Sequence, residues 1–254
     1  MSRNIIFFFS GTGNSLHIAK RISERLDNCE LFSMKTQQPM THDYERIGFV
    51  FPHYALGVPN IVRRFMEEID LSAYKNAYFF AIETMGGFRG NCLAQVRDIL
   101  KSKGITLSYG NAVLMFANNV VNYDMKKDAV ERTADSNKSA MLIASDIQQK
   151  KQNSIRRTNF LLALIYKSIV SSYPQKGLDF NVSNTCMACG QCIKICPTEN
   201  ITINSGKLVF GNQCEQCMAC IQWCPKTAIN YKNKTQTRGR YHHPDIDVRD
   251  MIVK

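Results

Sequence analysis

Eight of the chain's ten cysteines fall between Cys186 and Cys224, in two sets of identical spacing. Cys186, Cys189, Cys192 and Cys196 precede Pro197. Cys214, Cys217, Cys220 and Cys224 precede Pro225, each 28 residues after its counterpart. Three thiolates two residues apart on a tight loop can face three corners of one cuboidal metal cluster, and the proline stops the helical turn that would bury the fourth. Disulfides need an oxidising compartment, and because Met1 runs straight into the apolar Ile5 to Phe9 with no small-residue cleavage site following, secretion is not expected. Zinc sites mix short Cys-x2-Cys hooks with distant partners and rarely use two identical four-cysteine runs. The spacing therefore points to two 4Fe–4S clusters and one-electron chemistry.

Phe180 to Tyr231 resembles the two-cluster bacterial ferredoxins, with every ligand position filled. The resemblance implies crossed ligation: Cys186, Cys189, Cys192 and Cys224 hold one cluster, and Cys214, Cys217, Cys220 and Cys196 the other. Between the runs, Ile201 to Ile203 and Lys207 to Val209 flank Asn204-Ser205-Gly206, which reads as a hairpin. Trp223, Met187 and Met218 read as packing that keeps water off the sulfurs. Cys29 and Cys92, outside the runs, read as small buried hydrophobes.

What precedes the cysteines must position them, and it has a different rhythm. Apolar runs at Ile5 to Phe9, Leu31 to Phe32, Ile47 to Phe51, Ala77 to Ile82 and Ala112 to Phe116 alternate with helix-like stretches at Ser15 to Leu26, Asn60 to Ile69 and Asn91 to Lys103. Alternating strands and helices predict an α/β fold, a doubly wound parallel five-stranded sheet, beside a small α+β unit carrying the cysteines. In such sheets ligands bind beyond the carboxyl ends of the strands, so the loops there are the ones to inspect.

The first loop, Ser10-Gly11-Thr12-Gly13-Asn14-Ser15, is neither a Walker A loop nor G-x-G-x-x-G, which disfavours an ATPase or a Rossmann NAD domain. Its glycines, hydroxyls and following helix N-terminus suit a phosphate. It resembles the phosphate-binding loop of flavodoxins, (S/T)-x-T-G-x-(S/T), with Ser10, Thr12, Gly13 and Ser15 on the motif positions, which implies a flavodoxin-like fold and FMN. The resemblance lays the second loop, His53, Tyr54, Ala55, Leu56 and Gly57, along the isoalloxazine, with Tyr54 as the stacking ring. His53 reads equally as a structural histidine. The third loop, Thr84, Met85, Gly86 and Gly87 with Phe88 and Arg89, permits close backbone approach to a planar ring. It departs from the acidic, aromatic loop of short flavodoxins.

Taken whole, the chain resembles the fused flavodoxin–ferredoxin proteins of anaerobic bacteria and archaea, and Arg238 to Pro244 matches a segment found after the ferredoxin part of that family. The resemblance divides the 254 residues into a flavodoxin-like FMN-binding domain at 1–152, a helical linker at 153–179, a two-cluster ferredoxin domain at 180–231 and a basic C-terminal tail at 232–254. In the linker, Phe160 to Tyr166 reads as a helix packed between the two domains; a basic membrane-surface helix is the alternative.

The net charge of +11 resides in two acid-free segments, Ile147 to Lys176 and Lys226 to Arg240. They read as docking sites for an acidic redox donor or acceptor, or as compensation for roughly −6 brought by two clusters and an FMN phosphate. No DNA-reading module accompanies them, so nucleic acid is not expected. With 44% hydrophobic and 21% charged residues, disorder is excluded, and no apolar stretch is long enough to span a membrane. A cytoplasmic electron-transfer protein converting one-electron and two-electron couples is the expectation, with a flavin-dependent reductase of a small acceptor, fed by the clusters, as the alternative.

Overall fold

The central apolar runs, those that begin at Ile5, Ile47 and Ala77, become strands buried on both faces. The computed structural model describes residues 3–36, 40–87, 89–125, 129–156 and 158–252. Its first part runs β1 (Arg3–Phe8), α1 (Asn14–Ser23), β2 (Cys29–Ser33), β3 (Tyr44–Pro52), α2 (Asn60–Glu68), β4 (Tyr78–Met85), α3 (Cys92–Ser102), β5 (Leu107–Leu114) and α4 (Ala129–Gln148). All five strands are parallel, in the order β2-β1-β3-β4-β5. That order is the flavodoxin-like one, with its switch point between β1 and β3.

Alternate side chains of each strand serve opposite layers. Ile6, Phe8, Val50, Phe80 and Ile82 pack with Ile18 and Ile22 of α1 and Ile143 and Ile147 of α4. Ile5, Phe7, Phe49, Phe51 and Phe79 pack with Val62 and Phe65 of α2 and Val96 and Leu100 of α3. Gly48 of β3 leaves room for the Phe80 ring, whose Cζ lies 2.1 Å from where a Cβ would fall.

Two expectations shift. β5 begins at Leu107 rather than Ala112, because as an edge strand paired only with β4 it accepts half-buried Ser108 and Asn111 within its length. The linker helix, α5 (Phe160–Ser171), does not pack between two domains along its length. Tyr166 and Val170 are buried, with the Tyr166 hydroxyl donating to Val58 O at 2.6 Å, while Phe160, Leu161, Leu164 and Ile165 are exposed. Apolar on every side, the segment carries no period to say which face turns inward.

The cysteine-rich part comprises β6 (Phe180–Val182), α6 (Gln191–Ile195), β7 (Ile201–Asn204), β8 (Lys207–Phe210), α7 (Ala219–Gln222) and β9 (Ile229–Tyr231), with a last turn α8 (Val248–Met251). β6 pairs with β9 and β7 with β8, both antiparallel. The β7–β8 hairpin turns at Ser205 and Gly206, both at positive φ (48° and 76°), as a two-residue turn requires. The 28-residue repeat reappears in the backbone. Left-handed residues recur in pairs at Ala188 and Gln216 (51° and 51°), Gly190 and Met218 (74° and 62°), and Glu199 and Thr227 (52° and 47°).

Candidate functional site

Each cysteine set lines a cavity, and the sets exchange a member. One cavity is lined by Cys186, Cys189, Cys192 and Cys224, the other by Cys196, Cys214, Cys217 and Cys220. None of the eight is in a disulfide, and Cys189 is the exposed one. Each loop runs through these left-handed residues, and the fourth cysteine on each cavity follows the helical turn of the other set. Backbone N–H groups donate to the sulfurs: Asn200 to Cys196, Gln216 to Cys214 and Ala228 to Cys224, each at 3.3 Å. Asn200 and Ala228 are again 28 apart. Burial pushes the thiols of Cys214, Cys217 and Cys220 up, and that of Cys192 to about 11. An anionic sulfur here therefore needs a positive partner. Four convergent thiols, N–H donors to sulfur and apolar walls suit a 4Fe–4S cluster in each cavity.

Two cations approach the cavities. Lys35, just past β2, donates Nζ to Ile195 O (3.3 Å) and Met251 O (2.8 Å). Burial lowers its pKa, and the Cys217 and Cys196 sulfurs act against that shift. Arg240 donates to Ile229 O (3.1 Å) and Asn230 Oδ1 (3.0 Å); burial lowers it too, opposed by Cys224. Arg240 falls within the segment Arg238 to Pro244 and among the basic residues of the tail, whereas Lys35 belongs to no motif.

The cysteine-rich part sits at the carboxyl end of the sheet, over the switch point. Trp223 Nε1 donates to Gly11 O after β1 (3.0 Å), and Gln222 Nε2 donates to Asn118 O after β5 (2.7 Å). After β3, the Tyr54 hydroxyl is pushed up by burial and by the neighbouring Cys217 and Glu215. An open cleft lined by Lys35, Arg63, Arg64, Glu199 and Glu215 among others reaches Cys214 from outside.

The loop Ser10–Ser15 lies under this cover. Gly11, Gly13 and the four side chains between Ser10 and Ser15 are all buried. A Cβ on Gly11 would fall 2.1 Å from Cys217 O, and one on Gly13 3.0 Å from His243 Cβ. The hydroxyls have internal partners: Ser10 Oγ accepts from Gly13 N (3.0 Å), Ser15 Oγ meets Thr84 Oγ1 (2.8 Å), and Thr12 Oγ1 accepts from Asn118. Asn14 is fixed by Phe116 O (3.1 Å) and the Tyr241 hydroxyl (2.8 Å). The helix ladder of α1 begins with His17 N to Gly13 O (2.8 Å), and no side chain caps it. The N–H groups of Asn14 and Ser15 thus have no acceptor among the described residues, and a buried, uncapped helix start suits an anion. The donors fit an FMN phosphate; the space above them is filled by the protein's own C-terminal segment.

The other loops meet each other. Tyr54 and Gly57 exchange N–H···O bonds (2.9 Å each) around Ala55 and Leu56, both left-handed at φ 45° and 78°. His53 Nε2 accepts from Leu56 N (3.2 Å) and Asn91 N donates to Leu56 O (2.7 Å), which holds this costly turn in place. His53 thus holds the Leu56 turn, and its Nδ1 lies 3.5 Å from Cys92 Sγ and 4.0 Å from Glu83. Met85 O accepts from Met115 N (2.8 Å). Gly86 packs on Ala117, whose Cβ lies 2.6 Å from where its own would be, while Gly87 has open space around it. Phe88 lies outside the described residues.

The tail is a packed element and not a free basic arm. Tyr241, His243, Ile246 and Met251 are buried, and His243 N donates to Thr12 O (2.9 Å).

No protein-family model matches the chain, and no curated protein matches it. Among solved structures it is similar to a Fusobacterium nucleatum flavodoxin bound to flavin mononucleotide, at 14% identity and a TM-score of 0.43 over 60% of this chain and all of that one. It is similar to the Trp repressor binding protein of Bacillus subtilis, at 15% identity and 0.41 over 59% of this chain and all of that one. It is also similar to the rubredoxin oxygen:oxidoreductase of the anaerobe Desulfovibrio gigas, at 14% identity and 0.39 over 59% of this chain, which spans 37% of that protein's length.

Proposed function

We propose that the chain is an electron-transfer protein holding two 4Fe–4S clusters, one on Cys186, Cys189, Cys192 and Cys224 and the other on Cys214, Cys217, Cys220 and Cys196. The observation that carries the reading is the pair of four-cysteine cavities, each completed by a residue from the opposite run. Such clusters supply one-electron chemistry when bound. The chain's residues do the rest. N–H donors from Asn200, Gln216 and Ala228 stabilise charge on the sulfurs, and Leu208 and Ile229 in one cavity and Phe180 and Ile201 in the other exclude water. Exposed Cys189 and Met187 on one side, and the cleft reaching Cys214 on the other, offer separate contacts to a donor and an acceptor.

FMN is the group proposed for the sheet domain, its phosphate held by the N–H groups of Asn14 and Ser15 once the segment Tyr241–Ile246 leaves the loop. Converting one-electron to two-electron couples is the role this pairing serves.

Iron, sulfide and flavin analysis of anaerobically purified full-length protein tests the reading. About eight iron and eight sulfide per chain are expected, with the cluster of Cys214, Cys217 and Cys220 damaged by Cys196→Ala. Zinc in place of iron, or loss of the other cluster, overturns it.

A further inference from the structure

Lys35 and Arg240 are half-buried charges that have no carboxylate partner among the described residues. Lys35 Nζ bonds the carbonyls of Ile195 and Met251. The Arg240 guanidinium bonds the carbonyls of Thr235 (3.1 Å), Arg238 (2.8 Å) and Ile229 (3.1 Å) and the side-chain oxygen of Asn230 (3.0 Å), and its Nε is buried without a partner. Every one of these partners is neutral. A partly buried cation held only by neutral groups is unfavourable unless an anion stands close by. The carbonyls they hold stand next to the cysteine cavities: Ile195, bonded by Lys35, directly precedes Cys196, and Ile229, bonded by Arg240, lines the cavity of Cys186, Cys189, Cys192 and Cys224.

The arrangement follows the repeat. Cys196 and Cys224 are the 28-residue counterparts that cross from one set to the other, and each has one cation. The two cations have different origins. Arg240 lies 16 residues beyond Cys224 and bonds β9 of the cysteine-rich part, whereas Lys35 reaches across from the end of β2 in the sheet domain.

We propose that Lys35 and Arg240 tune the reduction potentials of the two clusters independently, Lys35 for the cluster of Cys196, Cys214, Cys217 and Cys220, and Arg240 for that of Cys186, Cys189, Cys192 and Cys224. The proposal rests on the two-cluster reading. An external one-electron donor gives each cluster one electron, the cluster with its four thiolates becomes one unit more negative, no proton is taken up, and the cation beside it stabilises the reduced form. Since Lys35 belongs to the sheet domain, the potential of its cluster depends on the docking of the two parts.

The test is a redox titration of the full-length, anaerobically purified chain, monitored by visible absorbance and electron paramagnetic resonance, after iron and sulfide analysis. Lys35→Met is expected to disfavour reduction of one cluster about tenfold, a shift of about 59 mV to lower potential for a one-electron couple. Arg240→Met is expected to shift the other cluster by a similar amount, and the double variant both. The shifts persist in 1 M KCl, because partly buried charges are screened far less than surface ones. Lys35→Arg retains the native potential. Should Lys35→Met fail to fold, Lys35→Gln keeps a donor for the two carbonyls, removes the charge and gives the same shift. A chain with full iron content whose two potentials stay put in these variants, or one in which both variants move the same cluster, overturns this proposal alone. A chain without iron–sulfur clusters overturns it together with the reading beneath it.

Discussion

The indole of Trp223 donates to the carbonyl of Gly11, 212 residues earlier, at 3.0 Å. Trp223 directly precedes Cys224 of the first cysteine cavity, and Gly11 lies in the loop after β1. One bond therefore ties the cysteine-rich part to the switch point of the sheet, where doubly wound folds place their ligands. The Trp223 ring is stacked on His242 at 4.1 Å, so the tail, the cysteine loop and the sheet meet at one residue.

Trp223→Phe keeps a ring in the interface and leaves the Gly11 carbonyl without its donor. A loss of about 1 kcal/mol is expected for one hydrogen bond, read from urea unfolding under anaerobic conditions. Faster proteolysis within Tyr241–Met251 is expected at the same time, and unchanged cleavage would show that the bond does not hold the parts together.

Gly11 and Gly87 make a matched pair of tests. A Cβ on Gly11 meets the backbone carbonyl of Cys217 at 2.1 Å, so Gly11→Ala must push the two parts of the chain apart, at a cost of roughly 3 kcal/mol. Gly87 has nothing within 4 Å of its virtual Cβ and no positive φ, so Gly87→Ala should change stability by less than about 0.5 kcal/mol. Equal effects in thermal unfolding would contradict the interface described at Gly11.

FMN and the C-terminal segment require the same space above Ser10–Ser15. Ile246→Ala removes apolar packing from Gly13 and loosens the segment, which should raise the flavin taken up in equilibrium dialysis. Thr12→Glu adds a negative charge beside the phosphate donors and should abolish uptake while leaving iron content intact. Dialysis that finds no flavin on either the native chain or Ile246→Ala removes FMN from the proposed function.

The cysteine sets were legible because their spacing is written in the chain, and the two cavities they line repeat it. β1, β3 and β4 were legible because a parallel strand buried on both faces reads as a continuous apolar run, as Ile5 to Phe9 and Ile47 to Phe51 do. Lys35 and Arg240 had no such signature: a single basic residue looks the same whether it faces water or a sulfur, and only docking decides. The tail was read through its charges, which hid the positions that pack, Tyr241, His243, Ile246 and Met251. α5 shows the converse, since Phe160 and Leu161 are apolar yet exposed, and hydrophobicity without a period does not choose a face.

His17 and His243 stack at 3.8 Å, both buried, with His243 Nε2 lacking a partner among the described residues and His17 Nε2 against Asn137 Oδ1 at 2.6 Å. Burial lowers the pKa of His243 to about 4, helped by His17 and Arg21 and opposed by Asp245; burial lowers His17 as well. A base whose folded pKa lies below its unfolded value of 6.5 is neutral in the fold, and the unfolded chain takes up the proton first. The contribution is therefore complete above pH 6.5 and falls as the pH drops from there towards 4, by roughly 1.4 kcal/mol per unit for one such group. Urea midpoints measured between pH 7.5 and 5.5 should fall with pH in the native chain. In His243→Asn the chain should be weaker at pH 7.5, where the ring's packing is lost, yet less steeply pH-dependent. Parallel slopes in the two proteins would mean that the buried pair is not what couples this interface to acid.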